Sequence, residues 1–377
     1  MAAGAVTRRR LVRARLGWIG WLLLGIVGGA TLLVAGTRTG RYLVRGAWEE
    51  GRILSRRRSI EALAADSSTP AATRAKLQLV LAARQFAVDS LQLPARQSFT
   101  KFAQLDHDTL VLVLSGTRRD ALVSKTWWFP VVGRVPYKGF FNFDEGRREE
   151  VRLQGEGYDT FLRPSPAFST LGWFNDPLLS TTLGEDSLAI VQTVIHELTH
   201  NRVYLPGQAV FNESLAEFVG NRGAVEFFRA RGDTASARRA EARWRDEILL
   251  GEVWERGYRE IDSVFRAHPY ADPRAVGDTT REPAVRAARL TARDSVYARL
   301  RRFFVDTIGP RLETIDRRYA ARARLDNAAV VAQRFYATKL SGFEAAWERD
   351  GRDVRRALAR LLADVARAPG DPFSVLP

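Results

Sequence analysis

The 377-residue chain carries a formal net charge of +15 and contains no cysteine. Disulfide bonds and thiolate metal sites are therefore excluded, and histidine and carboxylate side chains are the plausible metal ligands. The charge comes from 53 arginines and five lysines spread along the chain. Because no helix-turn-helix, RNP-type or zinc-knuckle pattern accompanies them, we do not expect the protein to bind nucleic acid.

The first apolar segment predicts a membrane anchor. Residues 16–36 carry no charged side chain and are long enough to cross a bilayer. Five arginines precede this segment and six follow it within residues 37–57, so the positive-inside rule does not decide its orientation. A cleaved signal peptide would have a shorter apolar core and a clearer exit than Val34-Ala35-Gly36, and we favour a retained anchor.

The remaining sequence predicts a mostly helical α+β domain. Two early helices are expected, at 44–66 and 70–92. Thr69 is the expected N-cap of the second helix, and Pro70 is its expected first residue. A small antiparallel sheet is expected from β-branched and aromatic runs at 109–114, 127–141, 161 and 168–174. Later helices are expected at 221–250, 252–267, 283–305, 308–324, 326–339 and 341–367, with a loop at 267–283.

These patterns suggest four parts. They are a basic tail at 1–15, the anchor at 16–36, a juxtamembrane helix at 37–66 and one globular domain at 67–377. The globular domain has a helix-and-sheet part at 67–184 and a helical part at 185–377.

The motif H-E-x-x-H lies in an apolar segment that predicts a buried helix. It consists of His196, Glu197 and His200, in residues 196–200. On a helix the two histidines share one face, where both imidazoles can bind one Zn²⁺. Glu197 lies about 100° further round, where its carboxylate can accept a proton from the attacking water. The spacing therefore predicts a zinc site with Glu197 as general base.

A third ligand is expected nearby, because a catalytic zinc usually takes three protein groups. Glu213 and Glu217 share a face of the next predicted helix. We place Glu213 on the zinc, and expect Glu217 to accept the free N–H of a liganding histidine. Two glutamates on a helix more often form a solvated face, but the motif thirteen residues earlier favours the metal site.

The sequence pattern does not by itself identify the remaining site residues. Tyr336 is the first candidate for a donor to the oxyanion, ahead of His268 and Tyr204. Glu185 or Asp176 could hold the α-amino group of a substrate.

An edge strand that pairs with an extended peptide is expected before the motif. A buried core strand is an equally good interpretation of the same residues: Ser169, Thr170, Leu171, Gly172 and Trp173.

The H-E-x-x-H motif followed by N-E-x-x-x-E at 212–217 resembles the gluzincin metallopeptidases. A narrower resemblance, to a bacterial family named for zinc aminopeptidase activity, runs through 45–51, 125–133, 137–141 and 169–177. The resemblance implies a zincin-like fold, with Glu213 as third ligand and Glu217 as its support.

The expected function is a membrane-anchored zinc metallopeptidase that hydrolyses peptides, and the resemblance implies an aminopeptidase. An endopeptidase, or an inert scaffold that keeps the fold, are the alternatives. Exported members of the resembled family imply a single-pass protein of the bacterial inner membrane, with a periplasmic or otherwise extracytoplasmic catalytic domain. The sequence does not indicate an oligomeric state.

Overall fold

The computed structural model describes isolated positions near the N-terminus and most of the chain from residue 36 onward. The described residues are 21, 25, 28 and 29, and the ranges 36–106, 109–129, 133–165, 177–184 and 186–377. The chain divides into two compact units, the first ending at Arg56 and the second spanning Arg57–Pro377. All described residues of the candidate site lie in the second unit.

The predicted anchor at 16–36 lies outside the described residues except at five positions. Within the described part of the chain, no helix has both the length and the apolar character needed to span a bilayer. In the first unit, helix α1 spans Arg38–Ser55, and the Thr37 hydroxyl accepts a hydrogen bond from the Gly40 N–H at its start. The anchor itself stays a prediction.

Helices make up most of the second unit, as predicted. In chain order they are α2 (Ile60–Ala65), α3 (Ala71–Asp89), α4 (Phe143–Gly155), α5 (Ser180–Leu183), α6 (Ser187–Arg202), α7 (Ala209–Ala230), α8 (Thr234–Ala267), α9 (Pro283–Phe303), α10 (Arg318–Arg322), α11 (Asn327–Arg334), α12 (Leu340–Arg349) and α13 (Val354–Val365). Short 3₁₀ or π turns occur at Pro273–Ala275, Phe304–Ile308, Gly309–Arg311 and Pro372–Val375.

The described strands form three small sheets. They are β1 (Arg58–Ser59), β2 (Lys101–Ala103), β3 (Val111–Arg118), β4 (Trp127–Phe129), β5 (Gly133–Val135), β6 (Tyr137–Phe140), β7 (Tyr158–Ser165) and β8 (Leu178–Leu179). An antiparallel sheet has the order β6-β3-β7, and β4 pairs with β5 as a hairpin. In the third sheet β2 pairs antiparallel with β1 and parallel with β8. The parallel pair was not predicted, because its partners lie far apart in sequence.

Both faces of the central sheet contact a helix, α4 on one side and α11 on the other, and the face toward α11 presents long polar side chains. Ser115 of β3 is opposite Tyr137 of β6, and Val113 of β3 is opposite Arg163 of β7. Opposite residues, and alternate residues along a strand, share a face. Tyr137 and Arg163 therefore project from the same face. The other face packs with α4 in a small apolar cluster of Leu114, Phe140, Leu153 and Tyr158.

The main apolar core surrounds α6 and α7. Helix α6 packs against α3 and α7, and α7 also contacts α8. A Cβ added at Gly220 of α7 would lie 2.9 Å from the carbonyl oxygen of Gln192 and 3.2 Å from Cβ of His196, both on α6. The absence of a side chain at Gly220 therefore lets the two helices approach closely.

Two predicted helices are wrong, because each is interrupted where a glycine ends one helix and an aspartate caps the next. The predicted helix at 221–250 is broken after Ala230, where Gly232 has a φ of 74° and Asp233 accepts a hydrogen bond from the Ser236 N–H. The predicted helix at 341–367 is broken in the same way. There Gly351 has a φ of 79° and Asp353 caps α13. Such a glycine ends a helix at little steric cost.

Other boundaries also differ from the prediction. The expected helix at 44–66 is interrupted, because Ser59 caps a separate helix α2 and pairs with Lys101 in a sheet. Pro70 is the cap position of α3, so Thr69 does not cap it. Most of 308–324 is not α-helical: α10 alone covers Arg318–Arg322.

Candidate active site

Two successive helices bring three possible metal ligands together. Nε2 of His196 lies 3.3 Å from Nε2 of His200, and the Glu213 carboxylate oxygens lie 3.5 Å and 3.6 Å from these two nitrogens. The ligand atoms all lie within 4.8 Å of one another, so this group could hold a metal ion.

The dimensions of this cluster fit zinc. Ligand atoms at about 2.0–2.1 Å from a tetrahedral zinc are roughly 3.3–3.4 Å apart. The distance of 3.3 Å between the two nitrogens matches such an edge, and the nitrogens lie 3.5 Å and 3.6 Å from different oxygens of the Glu213 carboxylate. Two imidazole nitrogens and one carboxylate oxygen are also a ligand set that catalytic zinc commonly takes.

Glu217 contacts the ring nitrogen of His196 that faces away from the cluster. Its Oε2 lies 3.4 Å from Nδ1 of His196. Its Oε1 accepts hydrogen bonds of 2.8 Å from the side-chain amides of Gln192 and Asn221. The two amides hold the carboxylate in place, and Nε2 of His196 is left to face His200 and Glu213.

The sequence prediction missed Gln192 and Asn221. Gln192 precedes His196 by one helical turn, and Asn221 follows Glu217 by one turn. This spacing was the available signal, but polar side chains one turn from a motif are common on any solvated helix. Their contact with one carboxylate depends on the packing of α6 against α7.

Asn212 fixes the connection between the two helices. Its side-chain oxygen accepts a hydrogen bond of 3.0 Å from the Leu205 N–H, and its amide donates one of 2.9 Å to the Leu205 carbonyl. The Asn212 side chain is buried, so these bonds are shielded from water. The loop that leads into α7 is thereby tied to the residue next to Glu213.

The electrostatics of the site favour a positive charge among its carboxylates. Burial opposes charge on His196, but hydrogen bonds to Glu213 and Glu217 outweigh it and raise the pKa of this imidazole to about 10. Burial and the charge of His196 lower the pKa of His200. Burial would raise the pKa of Glu213, yet its hydrogen bond with His196 lowers it. A divalent cation can supply the same compensation as the His196 proton.

Glu197 lies on the exposed side of α6. Its negative charge acts on the imidazoles of both His196 and His200, in each case favouring the protonated ring. The carboxylate is therefore beside the ligand cluster and accessible from solvent, as a group that exchanges protons with a substrate requires.

Tyr336 follows α11 and lies near the cluster. Burial raises the pKa of its hydroxyl, the charge of Glu213 raises it further, and the Arg163 guanidinium acts in the opposite direction. Burial raises the pKa of Tyr137 too, and Glu213 and Arg163 act on it with the same signs. Tyr137 and Arg163 were not predicted, because only the sheet register puts them on one face.

The other predicted site residues have different positions. Tyr204 is 69% exposed, and it is one of the neighbours that raise the pKa of Tyr137. His268 ends α8, where its carbonyl accepts a hydrogen bond from Arg289. Within the described ranges, none of the contacts of His268 reaches the cluster. The predicted edge strand, Ser169, Thr170, Leu171, Gly172 and Trp173, lies outside the described residues, as do Asp176 and Glu185.

Comparison with known proteins identifies the family. The family model described as "Putative aminopeptidase" matches residues 41–369. The chain belongs to this family. The predicted resemblance to an aminopeptidase family is thereby confirmed, and its zinc and gluzincin parts stay predictions. No curated protein and no solved structure matches the chain.

The aminopeptidase family match includes every residue of the ligand cluster and its surroundings. Both α6 and α7, the sheet that carries Tyr137 and Arg163, and Tyr336 lie between residues 41 and 369. The family name suggests hydrolysis of peptides, and it does not name a metal.

Proposed function

We propose that this aminopeptidase family member is a zinc-dependent peptidase with a zincin-like fold. The observation that carries the proposal is the clustering of the ligand atoms of His196, His200 and Glu213 within 4.8 Å of one another, with the exposed Glu197 beside them. The family name supports removal of residues from the N-terminus of a peptide. Cleavage at internal bonds is the alternative within the same chemistry.

The residues of the site have distinct roles in this proposal. His196, His200 and Glu213 hold zinc, which when bound polarises the scissile carbonyl and acidifies water. Glu197 accepts a proton from the attacking water and delivers it to the leaving amine as the C–N bond breaks. Glu217 keeps the Nδ1 proton of His196 in place.

Tyr336 donates its hydroxyl proton in a hydrogen bond to the oxyanion that forms on the carbonyl carbon. Its position near Glu213 supports this role. The influence of the Arg163 guanidinium on this hydroxyl is compatible with the role, because a guanidinium can only donate hydrogen bonds and so leaves the tyrosine proton available.

We also propose that residues 16–36 form the uncleaved membrane anchor. The catalytic domain then lies outside the cytoplasm, where peptides of the cell envelope are its substrates. This proposal rests on the apolar sequence and on the exported members of the resembled family.

Metal analysis and two substitutions test the proposed chemistry. Protein purified without chelator should contain about one zinc per chain, and His200→Ala should lose it. Glu197→Gln keeps the size and polarity of the side chain but removes the base. Zinc should therefore stay bound while hydrolysis of small peptides falls by at least about 100-fold.

Glu252→Gln is the matched control, because Glu252 is an exposed glutamate on α8. It should leave activity unchanged. Equal activity of wild type and Glu197→Gln would show that another group is the base. If the biological function survived Glu197→Gln, the inert-scaffold alternative would be correct. A folded wild-type protein that binds no zinc would contradict the metal site.

A further inference from the structure

Arg163 has an environment that differs from that of neighbouring arginines. It is half-buried on β7. Arg119, just beyond the end of β3, pairs with Asp159 at 3.3 Å, and Arg293 of α9 pairs with the same carboxylate. Within the part of the chain that the structure describes, no carboxylate lies within ion-pair distance of Arg163. A partly buried cation without a counter-ion gains from binding an anion.

The sheet directs Arg163 and Tyr137 to a common region. They project from the same face of β6-β3-β7, and the side chains between them at Ser115 and Val113 are small. Long side chains on the outer strands of such a sheet can reach toward each other across short ones. The electrostatic interaction between Tyr137 and Arg163 is consistent with this geometry.

This region borders the ligand cluster. Helix α11 contacts β3 and β7, and Thr338, which follows this helix, donates its backbone N–H to the Ser214 hydroxyl at 3.2 Å, next to Glu213. The influence of Glu213 and Arg163 on both Tyr137 and Tyr336 is consistent with this arrangement. A short extended peptide, at roughly 3.3 Å per residue, therefore suits a site with one end at the cluster and the other at the guanidinium.

We propose that Arg163, assisted by the Tyr137 hydroxyl, binds the C-terminal carboxylate of a short peptide whose scissile bond lies at the His196, His200 and Glu213 cluster. The inference rests on the proposed peptidase function and names its substrate class, oligopeptides of a few residues with a free carboxylate. A guanidinium suits this role because its planar donors match a carboxylate in a two-point contact. The C-terminal carboxylate is the anion that every unmodified peptide carries.

Binding to Glu197→Gln protein tests this without turnover. The probes are the tripeptide Leu-Gly-Gly and its C-terminal amide, with affinities measured by calorimetry. The free acid should bind at least about tenfold more tightly, because a charge-assisted two-point contact is lost in the amide. Adding Arg163→Gln should abolish this preference, and Arg163→Lys should keep only part of it. Adding Arg302→Gln, at an exposed arginine of α9, should leave it intact.

Several results would overturn the proposal. Equal affinity of acid and amide in the Glu197→Gln protein would do so even if Arg163→Gln failed to fold. A preference for the free acid that persisted after the Arg163→Gln substitution would also overturn the proposal. A C-terminal amide with aspartate as its second residue that bound as tightly as Leu-Gly-Gly would assign the subsite to acidic side chains instead. Failure of the peptidase function is separable: wild type would then hydrolyse no peptide, while the binding preference persisted.

Discussion

At the residue scale, Glu217 is the most constrained carboxylate of the site. Its two oxygens contact three partners, the side chains of Gln192, Asn221 and His196. The first two are amide donors, so the position suits an acceptor with two oxygens. If a side chain placed an NH₂ group there, at least one hydrogen-bond donor would face another donor and would have no acceptor.

We therefore expect Glu217→Gln to weaken zinc binding by about 10-fold to 100-fold, since contacts behind a metal ligand typically have effects of this size. Competition with a chelator measures the change. Glu213→Gln should lose more affinity, because Glu213 belongs to the ligand cluster itself. Unchanged affinity in Glu217→Gln would mean that the carboxylate does not position His196.

Zinc affinity should also depend on pH. His196 has a pKa of about 10 without metal, so below that value the free site holds a proton that zinc must displace. The raised pKa of His196 favours its protonated form at neutral pH, and zinc affinity should therefore increase as the pH rises. The pKa of His200 is lowered, so this ring adds no second proton. We expect about a tenfold gain between pH 7 and 8; equal affinities would contradict this assignment of charge.

At the element scale, the site depends on how closely α7 approaches α6. Gly220→Ala would place a methyl group 2.9 Å from the Gln192 carbonyl and 3.2 Å from Cβ of His196. Since the first contact is with backbone, the helices must separate. We expect a loss of about 1–3 kcal/mol in unfolding free energy, measured by denaturant titration, together with weaker zinc binding.

Gly155→Ala is the control for this substitution. Gly155 is also helical, at the end of α4, and a Cβ there would have no neighbour within 4 Å. Alanine should be neutral or slightly stabilising at that position. If Gly220→Ala were equally harmless, the close approach of α6 and α7 would not be needed for the site.

The elements differ in how well local sequence predicts them. Helix α6 was predictable because its apolar residues and the aspartate cap at Asp186 are local features. The break at Gly232 was not predicted, although glycine followed by aspartate is a recognisable signal. Apolar residues continue on both sides of that break, and this concealed it. Helices α7 and α8 were therefore divided at the wrong positions.

At the scale of the whole molecule, the orientation of the chain in the membrane is a prediction from sequence. Five arginines before residue 16 favour a cytoplasmic N-terminus, whereas six within residues 37–57 oppose export. We expect export, because the first helix usually sets orientation.

Reporter fusions after about residue 60 measure this orientation. An alkaline phosphatase fusion should be active, and a fluorescent protein exported through the general pathway should be dark. The reverse pattern would place the catalytic domain on the cytoplasmic side, where its substrates would be peptides from protein turnover.

The sequence by itself determined the features that depend on short spacings. His196 and His200 lie on one face because four residues make about one turn of any helix, and the same argument applies to Glu213 and Glu217. The family, the α+β class and the helical majority also followed from residues close together in the chain.

Tertiary structure alone decided which distant side chains meet. The contact of Gln192 with Glu217 requires the packing of α6 on α7, and the shared face of Tyr137 and Arg163 requires the register of three strands. Neither Tyr137 nor Arg163 belongs to the H-E-x-x-H or N-E-x-x-x-E motif, and the residues that separate them in sequence include all of α4. Local patterns contain no information about such pairs, because packing and strand register are set by the burial of apolar surface across the whole domain.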